Sequence, residues 1–174
     1  MKKSQIMKKS QIQGQVFIYI VAVVISGLIL LYGYNAIKNF QCKSKEIETI
    51  RFITDFSNDV KTISSDFGTV RKTVYVLPPD FNSVCIVDSD AIRKRQTQGI
   101  TDKIIKNSVE GGVSDNVFFM PLFANKCRNA VAKFDAGNIA VPGGFRCVNV
   151  AEGKLSLRLE GLGDKANVSE WKGK

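Results

Sequence analysis

Cys42, Cys85, Cys127 and Cys147 are the residues of this chain best suited to covalent chemistry, and no histidine accompanies them. The commonest general base and the commonest metal ligand are therefore both missing. Ser-His-Asp and Cys-His arrangements are excluded with them. No two cysteines stand in a C-x-x-C spacing, which argues against a zinc ribbon or a thioredoxin-like site. An even number of cysteines in an exported domain suggests disulfides, and four allow three full pairings. Cys85 and Cys147 each fall in a strand-like run, 83–87 and 145–150, and form the favoured pair. Buried free thiols are the alternative.

The charged clusters carry weaker signals. Asp88 and Asp90 make a D-x-D pair, with Asp102 further on. A hard cation needs several oxygen ligands, so a turn after a strand explains the pair better. Gly161, Leu162, Gly163 and Asp164 match the GxGD string of intramembrane aspartyl proteases. Those need the aspartate within a membrane helix; here it lies between two strand-like runs and reads as a turn. Arg93, Lys94 and Arg95, with Lys103 and Lys106 nearby, could touch phosphates. No aromatic residue interleaves with them for base stacking, so they read as a solvated face with no specific nucleic-acid partner. Asn167, Val168 and Ser169 form an N-x-S sequon, which makes Asn167 a candidate glycosylation site. No catalytic, cofactor-binding or metal-ligating residue is expected, and the chain is not read as an enzyme.

The element that must place all of these is hydrophobic. Residues 16–34 read VFIYIVAVVISGLILLYGY, 19 positions without a charge, enough as a helix to cross about 30 Å of hydrocarbon. A helix apolar on every face has little room inside a remaining domain of about 140 residues. The segment therefore reads as a transmembrane helix. The formal charge of the 174 residues is +9; Lys2, Lys3, Lys8 and Lys9 supply four, leaving a modest +5 for the rest. Those lysines face Lys38, Lys43, Lys45 and Arg51 across the segment, a small asymmetry that leans to the N-terminus inside. The cysteines and the sequon agree with a single-pass cell-membrane protein whose C-terminal domain is extracytoplasmic. The tail repeats MKKSQI at 1–6 and 7–12, so Met7 is an alternative start. No A-x-A-like site follows the apolar run, unlike an ordinary secretory signal.

A short lysine-bearing leader, then Gly14 and Gln15, then a long apolar run is an unusual order. It resembles the class III signal peptide of archaeal type IV pilin-like proteins. QVFIYIVAVVISGLILLYGYNAI, the later DFSNDVKTISSDFGTV and the closing KLSLRLEGLGDKANVS are similar to membrane-anchored proteins of this type. The resemblance implies that a prepilin-type peptidase cuts between Gly14 and Gln15 on the cytoplasmic side. It also implies that the helix stays on the mature protein as its anchor, and that copies pack through it into a homo-oligomer or filament at the cell surface. Two positions depart from the pattern. Gln13 precedes Gly14 where Lys or Arg is common, and Tyr19 occupies the fifth mature position where many bacterial pilins carry Glu. The alternative is an uncleaved single-pass envelope or binding domain that does not polymerise.

Beyond the membrane segment the first proline is Pro78. Phe40, Ile47, Ile50, Ile53, Phe56, Val60, Ile63 and Phe67 recur mostly at steps of three or four, a helical stripe that Gly68 ends. A continuous helix over 16–67 would span about 78 Å; a bend near 32–39 is the alternative. Strand-like runs follow at 69–77, 81–88, 116–123, 138–141, 145–150, 155–161 and 165–170, with a hairpin expected between 145–150 and 155–161. Residues 91–109 fit a helix or a loop, since Gly99 weakens the helix. The expected organisation is a basic leader (1–14), a transmembrane helix (15–36), an amphipathic helix (37–68) and a β-rich head (69–174). The fold class is α+β, a long N-terminal helix packed against a small, mainly antiparallel β domain.

Overall fold

The computed structural model describes the backbone of residues 3–122 and 131–171, and side chains from residue 15 onward. Two compact units divide the chain, Met1–Lys43 and Ser44–Lys174. Helix α1 (Lys3–Ser64) makes up the described part of the first unit and opens the second. Within the first unit no proline interrupts the backbone ladder. Ser26 turns its hydroxyl back to the Ala22 carbonyl at 2.8 Å, so the one hydroxyl of the aliphatic run 20–31 is satisfied within its own helix.

In the second unit α1 buries Thr49, Phe52, Phe56, Val60 and Ile63. Steps of three and four put these on one face. This corrects the expected stripe: Phe52 belongs to the core, whereas Ile47, Ile50 and Phe67 are exposed. Apolar residues occupy two sides of α1 here, and only one side meets the sheets. Phe52 lies edge-on to Tyr75, Phe119 and Phe134 with ring centroids 5.4, 5.5 and 6.0 Å away. Each such ring contributes about 1.5–3 kcal/mol by leaving water, and edge-to-face contacts add about 0.5–1.5 kcal/mol. α1 stops at Ser64, three residues short of the expected Phe67. Asp66 N–H donates to Ile63 O, Thr69 N–H to Asp66 O, and Gly68 adopts φ +79°, a left-handed turn that glycine accepts without strain.

Two four-stranded sheets follow. The first orders β1 (Val70–Val76), β7 (Lys154–Gly161), β8 (Ala166–Glu170) and β5 (Ile139–Ala140). The second orders β4 (Lys133–Phe134), β3 (Val117–Met120), β2 (Ser83–Val87) and β6 (Phe145–Asn149). All pairs are antiparallel except β5 with β8. Leu155, Leu157 and Leu159 alternate inward along β7, as the sequence pattern requires. They join Val84, Ile86, Phe119 and Val148 of the other sheet and the buried face of α1 in one core.

The expected hairpin between 145–150 and 155–161 does not form. Only Ala151 and Lys154 bridge across that turn. β6 pairs with β2, and β7 pairs with β1 and β8. The chain changes sheets at the turn because Val148 and Leu155 both face the core, which needs them on opposing layers rather than on one ladder. Residues 91–109 hold parts of two short helices, α2 (Ser89–Arg93) and α3 (Lys103–Glu110), separated where Arg95 and Gly99 take positive φ. They cover the outer face of the second sheet, where Ile92, Ile105 and Val109 meet Cys85, Val87 and Phe118.

Candidate functional site

Two features stand out: the apolar helix of the first unit and a groove in the second. Along α1 from Val16 to Tyr34, Leu30 is 74% exposed and Val23 72%. None of the most apolar window is buried, and it is long enough to cross a membrane. Among the described residues, nothing apart from the helix's own backbone lies within 4 Å of where a Cβ would stand on Gly27 or Gly33. The Gln15 side-chain amide donates to the Tyr19 hydroxyl at 3.3 Å. Gly14 lies within α1, at a position whose side-chain surroundings fall outside the described residues.

Cys85 and Cys147 stand directly opposite on β2 and β6 and are joined, with Cα atoms 3.9 Å apart. Cys85 is buried, whereas Cys147 is exposed. Cys42 is disulfide-bonded as well, and Cys127 lies outside the described residues.

The D-x-D pair, read as a turn after a strand, begins a short helix instead. Asp88 caps α2, accepting from Asp90 N–H at 2.8 Å, and its second oxygen accepts from Val141 N–H at 3.1 Å. Asp102 caps α3 through Ile104 and Ile105 N–H. Such caps contribute about 1 kcal/mol each. Asp90 accepts a hydrogen bond from Lys165, which holds its carboxyl below the usual range and raises the lysine in return. No cluster among the described residues has the donors for a metal. The GxGD string is a turn between β7 and β8, closed by Leu162 N–H to Lys165 O. Gly161 in it is sterically required: a Cβ there would lie 2.1 Å from Asp66 O and 2.2 Å from Ile63 O. Arg93 bonds Asn138 and pairs with Asp90, while Lys94, Lys103 and Lys106 point to solvent. Asn167 is half-buried in β8, with Glu160 on one side and Ala140 on the other.

The groove had no signal in the sequence, because it arises where α1 passes β1. It encloses about 530 Å³ between Glu48, Arg51, Asp55 and Asn58 on one wall and residues 73–76 on the other. Asp59 ties the two walls together, accepting from Tyr75 Oη at 2.7 Å and from Arg71 Nη1 at 2.9 Å. Burial first, and the bond to Asp59 second, push the Tyr75 phenol well above its ordinary value. A second, smaller cleft, about 160 Å³, adjoins Ser89 and Asn116. Those two buried side chains bond each other, Gly137 O, and the N–H groups of Ala136 and Ile139. They hold the loop before β5 to α2.

No family model matches the chain, and no curated protein or solved structure is significantly similar to it.

Proposed function

We propose that this chain is a single-pass membrane protein whose folded unit serves outside the cytoplasm as an envelope or binding domain. The carrying observation is the uncharged helix at 16–34, whose most apolar window is wholly unburied, in a chain whose second unit builds a core of its own. That much exposed hydrocarbon requires a lipid or protein partner. The Cys85–Cys147 disulfide favours an oxidising compartment for the folded unit, and the lysine-rich tail favours the cytoplasm for the N-terminus.

Alkaline extraction of membranes, with surface labelling of intact cells, tests this reading. The full chain should stay in the membrane pellet, and lysines such as Lys94 and Lys106 should be labelled from outside. Release into the supernatant would end the anchoring claim. Protection of those lysines until the cells are broken would end the topology claim.

A second reading rests on the order of basic tail, Gly14, Gln15 and apolar run. In it a prepilin-type peptidase removes the first 14 residues, and the protein joins a pilin-like filament through its helix. The mass of the mature N-terminus decides it: a chain starting at Gln15 supports processing, and one starting at Met1 or Met7 rules it out.

A further inference from the structure

The first sheet ends in β1, seven residues long and, among the described residues, paired on one side only, with β7. The ladder fixes which backbone groups it leaves open. Gly161 N–H donates to Thr69 O, and Leu77 N–H to Gly153 O, so odd-numbered residues of β1 turn their polar groups toward β7. In an antiparallel ladder the alternate residues turn theirs away. The N–H and C=O groups of Val70, Lys72, Val74 and Val76 therefore face away from the sheet. Natural sheets blunt such edges with prolines, bulges, charges or very short strands. β5 and β4 are two residues each. β1 is full length and has no proline; its two charges are already engaged, Arg71 by Asp59 and Lys72 over the Trp171 ring, and it exposes Val74 and Val76 by 58% and 62%.

The groove runs alongside this open edge. Its helical wall from Glu48 to Asp59 rises about 16 Å, the length of about five extended residues. Glu48 and Asp55 on that wall have no ion pair among the described residues, whereas Asp59 is already engaged by Arg71. Arg51 offsets one of the two free carboxylates, which leaves the wall net acidic.

We propose that β1 and the adjoining groove bind an extended, basic peptide segment of a partner protein by strand addition. The peptide backbone would pair with the open groups of Val70 to Val76. Alternate side chains would lie over the helical wall, where a Lys or Arg meets Glu48 and Asp55. The remaining side chains would extend the exposed valine row of β1. Backbone pairing supplies affinity in this mode, and the wall supplies preference for charge. The groove lies wholly within Ser44–Lys174, so the proposal stands apart from whether the helix at 16–34 is in lipid.

The test uses the full chain in detergent micelles and a fluorescein-labelled octapeptide of alternating Lys and Val, read by anisotropy. Amide hydrogen exchange is followed with and without peptide. Binding is expected to slow exchange at Val70, Lys72, Val74 and Val76. Val74→Pro deletes one outward donor and leaves the bonds to β7 untouched; it should weaken binding about tenfold. Asp55→Lys, on the helix surface, should weaken the Lys–Val peptide several-fold and favour a Glu–Val counterpart. Equal binding of the Lys–Val and Glu–Val peptides to the native chain would overturn the charge assignment. Absence of binding, or binding without protection of those four amides, would overturn strand addition. So would the same protection produced by phosphatidylglycerol nanodiscs without peptide.

Discussion

Leu30 and Phe56 belong to one helix and live in opposite surroundings: the first is 74% exposed, the second 0%. Both are large and apolar, and helix propensity does not distinguish their segments. What differs is the supply of partners. Around Phe56 two sheets provide leucines, valines and aromatic rings; in the unit that holds Leu30, α1 is the only described element. A hydrophobic side chain thus specifies that it will leave water, and the rest of the sequence decides whether protein or bilayer receives it.

The contrast can be broken most forcefully at its buried end. Phe56→Ala should destabilise the folded unit by about 3–5 kcal/mol through lost burial and a residual cavity. Leu30→Ala should leave the urea midpoint of that unit unchanged. Equal losses from both substitutions would show that the helix has one environment rather than two. At the exposed end, Val23→Lys places a charge at the helix centre, which costs about 3 kcal/mol in membrane insertion. Retention in the membrane pellet should drop while the folded unit keeps its disulfide. Undiminished retention would move the lipid contact elsewhere.

The covalent staple comes next. Replacing Cys85 and Cys147 together by Ala closes no 62-residue loop in the unfolded chain, and should cost about 2–4 kcal/mol in denaturant titrations. No loss would mean that the second sheet is held by packing alone. The smallest effect is in alkali. Tyr75 is held neutral in the folded state, chiefly by burial, while the unfolded chain ionises it near pH 10. Its contribution is therefore complete below about pH 10 and falls above it, by up to about 1.4 kcal/mol per pH unit. Tyr75→Phe should flatten this decline between pH 9 and 11. Parallel curves for both proteins would contradict it.

The apolar helix and the α+β architecture could be read from the sequence because each rests on local pattern. Nineteen uncharged positions and the alternation of Leu155, Leu157 and Leu159 are visible without a third dimension. The Cys85–Cys147 pair was legible for the same reason, since each cysteine lies within a strand-like run. Phe52 was missed because Ile47 and Ile50 offer an equally regular spacing on the wrong side of α1. The false hairpin had a proper turn, and only the demand of the core for Val148 and Leu155 on facing layers breaks it. β5 falls inside the strand-like run read at 138–141, whereas β4 is two residues long, too short to leave a period. The groove belongs to neither α1 nor β1 alone, so no stretch of sequence encodes it.

The seam at Gly161 has a practical side for protein engineering. Its carbonyl neighbours admit no added atom, yet Leu162, Gly163 and Asp164 immediately after it lie open to solvent. A reporter peptide or epitope grafted between Gly163 and Asp164 meets solvent and opens only the Leu162–Lys165 turn, whereas the same graft two residues earlier would pry the last turn of α1 off β7. The cost of an insertion therefore drops from a broken core seam to one opened surface turn within three positions.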